Sequence, residues 1–245
     1  MEWDRHEYGT IDSTNLEAKR LLDAGACAGL VVSADHQTAG RGRLGRGWLD
    51  LPGKSLLVSL ALEGRGGFDT ALLLSVSMRA AIIACGGEGP LLKWPNDLVY
   101  GDRKVGGILS EMHLAGGREY VIAGLGLNVG YLPGELAVSA RLRPTSLLVE
   151  EGRIWDRREL LDAMLRELDA RWREERMGWL TEYRRSLAFV GETVMVDAPF
   201  AVLGEPGYGE ESIAGLIRGV DDSGNLLLEV GGKTLRLASG DIHCG

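Results

Sequence analysis
The chain has 245 residues, 45% of them hydrophobic, and 27 Lys and Arg against 35 Asp and Glu give a formal net charge of −8. That suits one large domain, or a large one and a small one, with a full core, and the acidic balance argues against a nucleic-acid binder, which is usually basic. Cys27, Cys85 and Cys244 are odd in number, far apart and not in metal-ligand spacing, and the opening MEWDRHEYG has no apolar signal region, so a disulfide framework, a zinc site and a secretory leader are not expected and a reducing cytoplasm is favoured.

In chain order, His6 to Ile11 reads as a short strand leading into Asp12-Ser13-Thr14-Asn15. Thr14 and Glu17 have capping-box spacing, Leu16, Leu21 and Leu22 give the following helix an apolar face, and Gly25 is its C-cap. Leu30 to Ala34 and Ser55 to Leu62 are buried strands, and Thr70 to Cys85 is a mostly apolar helix packed on a sheet. Within it, Ala71 to Cys85 is broken by Ser75, Ser77 and Arg79 and is too short to span a membrane. Leu91 to Trp94 is a strand halted by Pro95; Asp97 to Tyr100 and Lys104 to Leu114 form a hairpin; Tyr120 to Val129 is a further strand. Short turns between neighbouring strands mean a mixed, largely antiparallel sheet, an α/β fold of the α+β type, not a doubly wound one.

Asp156 and Glu159 again make a capping box. Leu160, Leu161, Met164, Leu165, Leu168 and Trp172 mark a long amphipathic helix to about Met177, followed by a second from Trp179 to Leu187. The texture then changes to short β segments, Thr193 to Val196, Ser212 to Val220, Asn225 to Val230 and Thr234 to Leu237, separated by Asp222-Ser223-Gly224-Asn225 and Gly231-Gly232. This is a small C-terminal SH3-like β-barrel. The expected division is residues 1–188 and 189–245. From Val190 onward three basic and nine acidic residues leave −6, so the larger part carries only −2.

The stretch Gln37 to Trp48, QTAGRGRLGRGW, is the chemical centre of the chain. From Gly40 to Trp48 it holds four glycines and three arginines, and no acidic residue falls between Asp35 and Asp50. Glycine leaves backbone amides uncovered, arginine grips phosphate or carboxylate through paired hydrogen bonds, and Trp48 offers a flat face for stacking. With Leu44 as its only aliphatic side chain larger than alanine, the loop has little to anchor it and is expected to be mobile until an anion orders it. Three further clusters follow. Lys93-Trp94-Pro95-Asn96-Asp97 sets a cation, an amide and a carboxylate at a strand end. Lys104-Val105-Gly106-Gly107-Ile108-Leu109-Ser110-Glu111 and Gly124-Leu125-Gly126-Leu127-Asn128-Val129 put glycines inside strands, where they suit close approach of a ligand or of a helix. Taken singly, Lys93 and Lys104 read as ordinary exposed lysines, Asn128 as a strand end, and Ser13, Thr14 and Asn15 equally as a helix cap or as ligand contacts.

Together, GRGRLGRGW, KWPND, KVGGILSE and GLGLNV, in that order and preceded by Ser13-Thr14-Asn15 and Gln37, resemble biotin protein ligase over nearly the whole chain. The resemblance implies formation of biotinyl-5′-adenylate from biotin and ATP with Mg²⁺, then transfer of biotin to a lysine in the acceptor domain of a biotin-dependent carboxylase. It assigns Ser13, Thr14, Asn15, Gln37, Arg41, Gly42, Arg43, Lys104, Gly106 and Gly107 to biotin. It assigns Arg43, Arg46, Trp48, Asn96, Asp97 and Asn128 to ATP, with Asp97 also as a Mg²⁺ ligand. Lys104, Arg43 and Asp97 are the catalytic set: Lys104 bridges the biotin carboxylate and the α-phosphate, and Asp97 assists deprotonation of the acceptor lysine.

Some members carry an N-terminal helix-turn-helix; the twelve residues before Ser13 are too few for one, so a ligase-only form without specific DNA binding is expected. The rivals are a lipoate or octanoyl transferase of related fold, a biotin-responsive regulator, and a biotin-binding protein without catalysis. An exposed sheet edge is expected to suit a homodimer or acceptor docking.

Overall fold
Eight strands form one sheet, ordered β1 (Asp4–Ile11), β2 (Leu30–Gln37), β3 (Ser55–Leu62), β7 (Arg118–Asn128), β6 (Arg103–Ala115), β5 (Asp97–Tyr100) and β4 (Leu91–Lys93), with β8 (Arg143–Pro144) paired to β6. In this computed structural model, residues 1–136, 143–204, 209 and 211–244 are described. The β1–β2 and β6–β8 pairs are parallel and the rest antiparallel, the mixed sheet expected. The β6–β7 hairpin closes on Gly116 and Gly117, both with positive φ (56° and 78°), as a two-residue turn between right-twisted strands requires.

The sheet divides the molecule. Helix α1 (Thr14–Asp23) lies on one face and buries Ala18 and Leu22 with Leu30, Val32, Ala61 and Ile122. The other face carries α2 (Gly67–Ala84), α3 (Leu147–Glu151), α4 (Arg157–Trp172) and α5 (Arg176–Arg185). Helix α2 has 18 residues and is apolar enough to cross a membrane by length and composition. It is instead buried on several sides at once, with Leu72, Leu73, Leu74 and Met78 fully covered, as a helix apolar all round must be. Asp156 caps α4 by accepting from the backbone N–H of Arg158 and Glu159 at 2.7 and 3.3 Å. The helix expected to run to Met177 stops at Trp172, and α5 begins at Arg176, ahead of the expected Trp179.

Strands β9 (Thr193–Val202), β10 (Ile213–Val220), β11 (Leu226–Val230) and β12 (Lys233–Cys244) close into a barrel. Its inward residues Val194, Val196, Ile217, Leu226 and Leu228 join the same core as the sheet. Trp94 is fully buried, and its indole N–H donates to Gly224 O at 3.0 Å, so barrel and sheet are tied through both packing and a satisfied polar group. Strand β12 runs seven residues past the expected Leu237. Register shifts between Leu237 and Ser239 and between Ser239 and Asp241 bend it, and it brings Gly240 and Asp241 back to the sheet.

Candidate active site
The α1 face of the sheet is bare of side chains at Gly107, Gly124 and Gly126. Gly107 pairs with Gly126, and Leu109 with Gly124. A Cβ on Gly126 would lie 2.5 Å from Trp48 Cε2, and one on Gly124 would lie 2.2 Å from Asn15 Oδ1. Glycine at both positions therefore lets the Trp48 indole and the Asn15 amide rest directly on the β7 backbone. Above this floor lies a cleft holding about 460 Å³ of space, open mouth included, lined by Ser13, Thr14, Asn15, Gln37, Arg41, Gly42, Trp48, Asn96, Lys104 and Gly107, with Leu109, Gly124 and Gly126 below.

One end of the cleft is neutral and polar. Ser13 is the residue before α1, displacing the expected Thr14, yet its side chain makes no capping hydrogen bond, and it lines the cleft instead. Gln37 Oε1 accepts from Thr14 N at 2.8 Å and Thr14 Oγ1 at 3.1 Å. Ser59 Oγ, fully buried, lies 2.7 Å from Thr14 Oγ1 and 2.6 Å from Asn15 Oδ1. Sequence reasoning missed Ser59, which no motif marks; its pairing with Gly124 across β3 and β7 places it there.

The other end is cationic. Lys104 Nζ lies 2.6 Å from Asp97 Oδ1 and 6.0 Å from the centre of the Trp48 ring. A bulge puts it there: β5 and β6 slip register between Leu98 and Val99, so Lys104 shares the cleft face with Gly107, three residues on, against the two-residue alternation of a regular strand. Asp97 Oδ2 accepts from Lys93 at 3.0 Å, and Lys93 lies 3.6 Å from Asp241 Oδ1. Lys93 is thus a buried ion-pair partner, 2% exposed, and not a surface lysine. Arg46 pairs with Asp241 Oδ2 at 2.9 Å. Arg43 donates to Asn96 Oδ1 at 2.9 Å and Gly240 O at 3.2 Å, both neutral. Of these cations Lys104 alone lines the cleft; Lys93, Arg43 and Arg46 stand beside it, and the four together face two carboxylates, Asp97 and Asp241, which leaves positive charge in excess next to this end. Burial lowers the Arg43 pKa despite the nearby Asp241 and Asp97, so an added anion at this end is favoured.

The surroundings of several expected site residues bear on the roles assigned to them. Burial alone would raise the Asp97 pKa, but the ammonium groups of Lys104 and Lys93 outweigh it and hold the carboxyl well below its usual range. Such a carboxylate is a weak proton acceptor at neutral pH, so its geometry suits an anchor for Lys104 better than a base for an acceptor lysine. Each of its oxygens already meets an ammonium group, so a Mg²⁺ ion there would compete with Lys93 and Lys104 for the carboxylate. Gly106 faces the core, where a Cβ would meet Leu127 Cδ1 at 3.1 Å; Gly107 alone of the pair faces the cleft. Asn128 is buried beside Thr145, donating to its carbonyl at 3.0 Å, with Oδ1 lacking a partner among the described residues. It does not line the cleft. The loop also has more anchors than its composition suggests: Arg41 meets Glu111, Arg43 meets Gly240 and Asn96, and Arg46 meets Asp241.

Residues 9–128 match the Biotin/lipoate A/B protein ligase family, and residues 207–244 match the Biotin protein ligase C terminal domain. The chain is 34% identical to the biotin--[acetyl-CoA-carboxylase] ligase of Mycobacterium tuberculosis over 94% of its own length and 85% of that protein. It is 29% identical to the bifunctional ligase/repressor BirA of Bacillus subtilis, covering 97% of this chain and 73% of the longer relative. In three dimensions it superposes on the biotin protein ligase from Aquifex aeolicus in complex with biotin and ATP with a TM-score of 0.78 at 27% identity, covering 98% of this chain and 97% of that one. The chain belongs to the biotin protein ligase family.

Proposed function
We propose that the cleft joins biotin to ATP and then passes biotin to a lysine of an acceptor domain. The observation that carries this reading is the polarity of the cleft: a neutral hydrogen-bonding end and an end with surplus cations, joined at Lys104. Biotin offers a neutral bicyclic head and a carboxylate tail, and ATP offers phosphates. A carboxylate oxygen attacks the α-phosphorus, the bond to the leaving phosphate breaks, and pyrophosphate departs. Two anions must approach each other, and fixed positive charge lowers that barrier.

In this reading Ser13, Thr14, Asn15 and Gln37 hold the head and Arg41 and Gly42 cover it. Lys104, fixed by Asp97, bridges carboxylate and α-phosphate. Arg43 and Arg46 exchange their protein partners for phosphate oxygens, and Trp48 and Asn96 line the nucleotide side, with Asn128 Oδ1, which lacks a partner among the described residues, as a more remote contact. Mg²⁺ enters on the nucleotide, where it neutralises phosphate charge. In the second step the acceptor amine attacks the acyl carbon, the anhydride C–O bond breaks, AMP leaves and the amine sheds its proton to solvent.

Biotin ligases act on biotin carboxyl carrier domains of carboxylases, and such a domain is the partner proposed. We further infer a cytoplasmic enzyme, divided at residues 188 and 189, that does not bind DNA specifically, in keeping with its net charge of −8. Strand β1, at one edge of the sheet, suits strand pairing with a second copy or an acceptor. The C-terminal match to biotin protein ligases alone favours biotin over lipoate. Incubation with biotin, MgATP and a purified carboxyl carrier domain tests the reading: biotin should become covalently attached to the acceptor, and an unmodified acceptor would count against it.

A further inference from the structure
Glu111 has no part in the chemistry proposed above, yet it meets two residues that line the cleft, Asn15 and Arg41, and Lys19 beside them. It stands on β6, across from Ile122. Its Oε2 accepts from Asn15 Nδ2 at 2.8 Å, and its Oε1 accepts from Lys19 Nζ at 2.9 Å and lies 3.5 Å from the Arg41 guanidinium. Burial would raise its pKa, but the hydrogen bonds from Asn15 and Lys19 and the charges of Lys19 and Arg41 hold it below the ordinary value.

An ionised carboxylate only accepts. The Asn15 amide must therefore turn its NH2 to Glu111, with Leu109 O a second acceptor at 3.4 Å. Its oxygen is then forced inward, over Gly124 and 2.6 Å from Ser59 Oγ. Ser59 in turn lies against Thr14 Oγ1, and Thr14 donates to Gln37 Oε1. One fixed charge thus sets the orientation of Asn15, while Gln37 is oriented separately by the backbone N–H of Thr14.

We propose that Glu111 is a positioning residue for the ligand's head: it locks the Asn15 oxygen inward, so that the cleft presents an acceptor to a ligand N–H, and it holds Arg41 over the same end. The proposal rests on the reading of the cleft as a biotin site, since the ureido ring of biotin carries two N–H donors.

The test is the KM for biotin and the kcat of ATP–pyrophosphate exchange in Glu111→Gln, Asn15→Asp and the double variant, each checked for folding by thermal melting. A neutral amide at position 111 can donate or accept, so the Asn15 orientation is no longer fixed; the KM for biotin should rise about tenfold, with kcat within about threefold. Asn15→Asp sets two carboxylates against each other, and its KM should rise further. Adding Glu111→Gln restores a donor facing an acceptor and keeps an oxygen inward, so the double variant should recover at least about tenfold over Asn15→Asp alone. A merely structural role would make the two losses add. A wild-type KM in Glu111→Gln, or a double variant no better than Asn15→Asp, overturns the proposal. Where Asn15→Asp does not fold, the KM of Glu111→Gln decides alone. Absence of biotin-dependent exchange in the unaltered chain would instead overturn the function on which the proposal rests.

Discussion

Arg46 in the glycine-rich loop and Asp241 on the last barrel strand form an ion pair at 2.9 Å, across 195 positions of sequence. The same carboxylate faces the buried Lys93 at 3.6 Å. Through Asp241 the barrel therefore touches both the mobile-looking loop and the charge cluster under it. Arg43 strengthens the link by donating to Gly240 O.

Asp241→Asn should loosen the loop. Arg46 is about half exposed, so its pair contributes little alone, about 0–1 kcal/mol; the larger loss is the second carboxylate near Lys93, and together about 1–2 kcal/mol of stability should go. Trypsin reads the loop directly, because Arg41, Arg43 and Arg46 are cleavage sites. The variant should be nicked there faster than wild type, and biotin with MgATP should slow cleavage in both. Equal rates in the two proteins would mean the barrel does not restrain the loop.

Lys104→Ala should cripple adenylate formation and leave the fold intact, because Asp97 keeps Lys93 as a partner. Loss of a fixed charge at a phosphoryl-transfer transition state costs on the order of 3 kcal/mol, about a hundredfold in rate. Exchange kinetics check this; a wild-type rate would remove Lys104 from the mechanism.

Gly124→Ala and Gly126→Ala should separate the two ends of the cleft. The first places a Cβ 2.2 Å from Asn15 Oδ1 and should raise the KM for biotin; the second places one 2.5 Å from Trp48 Cε2 and should raise the KM for ATP. Each shift should reach about tenfold, equivalent to 1.4 kcal/mol, and each added Cβ should also cost about 1–3 kcal/mol of stability, because a neighbouring side chain must move. Identical effects of the two variants on both substrates would show that the ends are not distinct.

Asp97→Asn removes the carboxylate shared by two ammonium groups, one of them buried, and should cost about 3 kcal/mol. The folded pKa of Asp97 lies below its unfolded value. Its contribution is thus complete above about pH 4 and is lost as pH falls toward the folded value. The stability difference between wild type and Asp97→Asn, from denaturant titrations, should be flat from about pH 5 to 7 and shrink below about pH 4. A difference that grows on acidification would reverse the assignment.

Local signals carried most of the fold. Ser55–Leu62 has the expected bounds, and Asp156 caps its helix as its spacing predicts. What the sequence could not carry is whatever depends on register. The bulge near Lys104 decides which way that side chain points, and the alternation of β6 sends Gly106 to the core and Gly107 to the cleft. Lys93 looks like a surface lysine until β4 is paired with β5 and Asp97 falls opposite it. Ser59, Glu111 and Asp241 escaped notice as site residues because their partners lie 44 to 195 positions away. Asp241 also needed a strand continuing past Leu237, where the apolar alternation ends at Ala238-Ser239-Gly240.

Adenylation in a single cleft with one neutral and one cationic end is tested most directly by ATP–pyrophosphate exchange measured with biotin, with lipoate and with neither. Exchange should appear with biotin, be at least about a hundredfold weaker with lipoate, since a site built on hydrogen bonds rejects a ligand that lacks the matching groups, and vanish without an acid substrate. No exchange with biotin, or exchange as fast with lipoate, would contradict the assignment of the cleft.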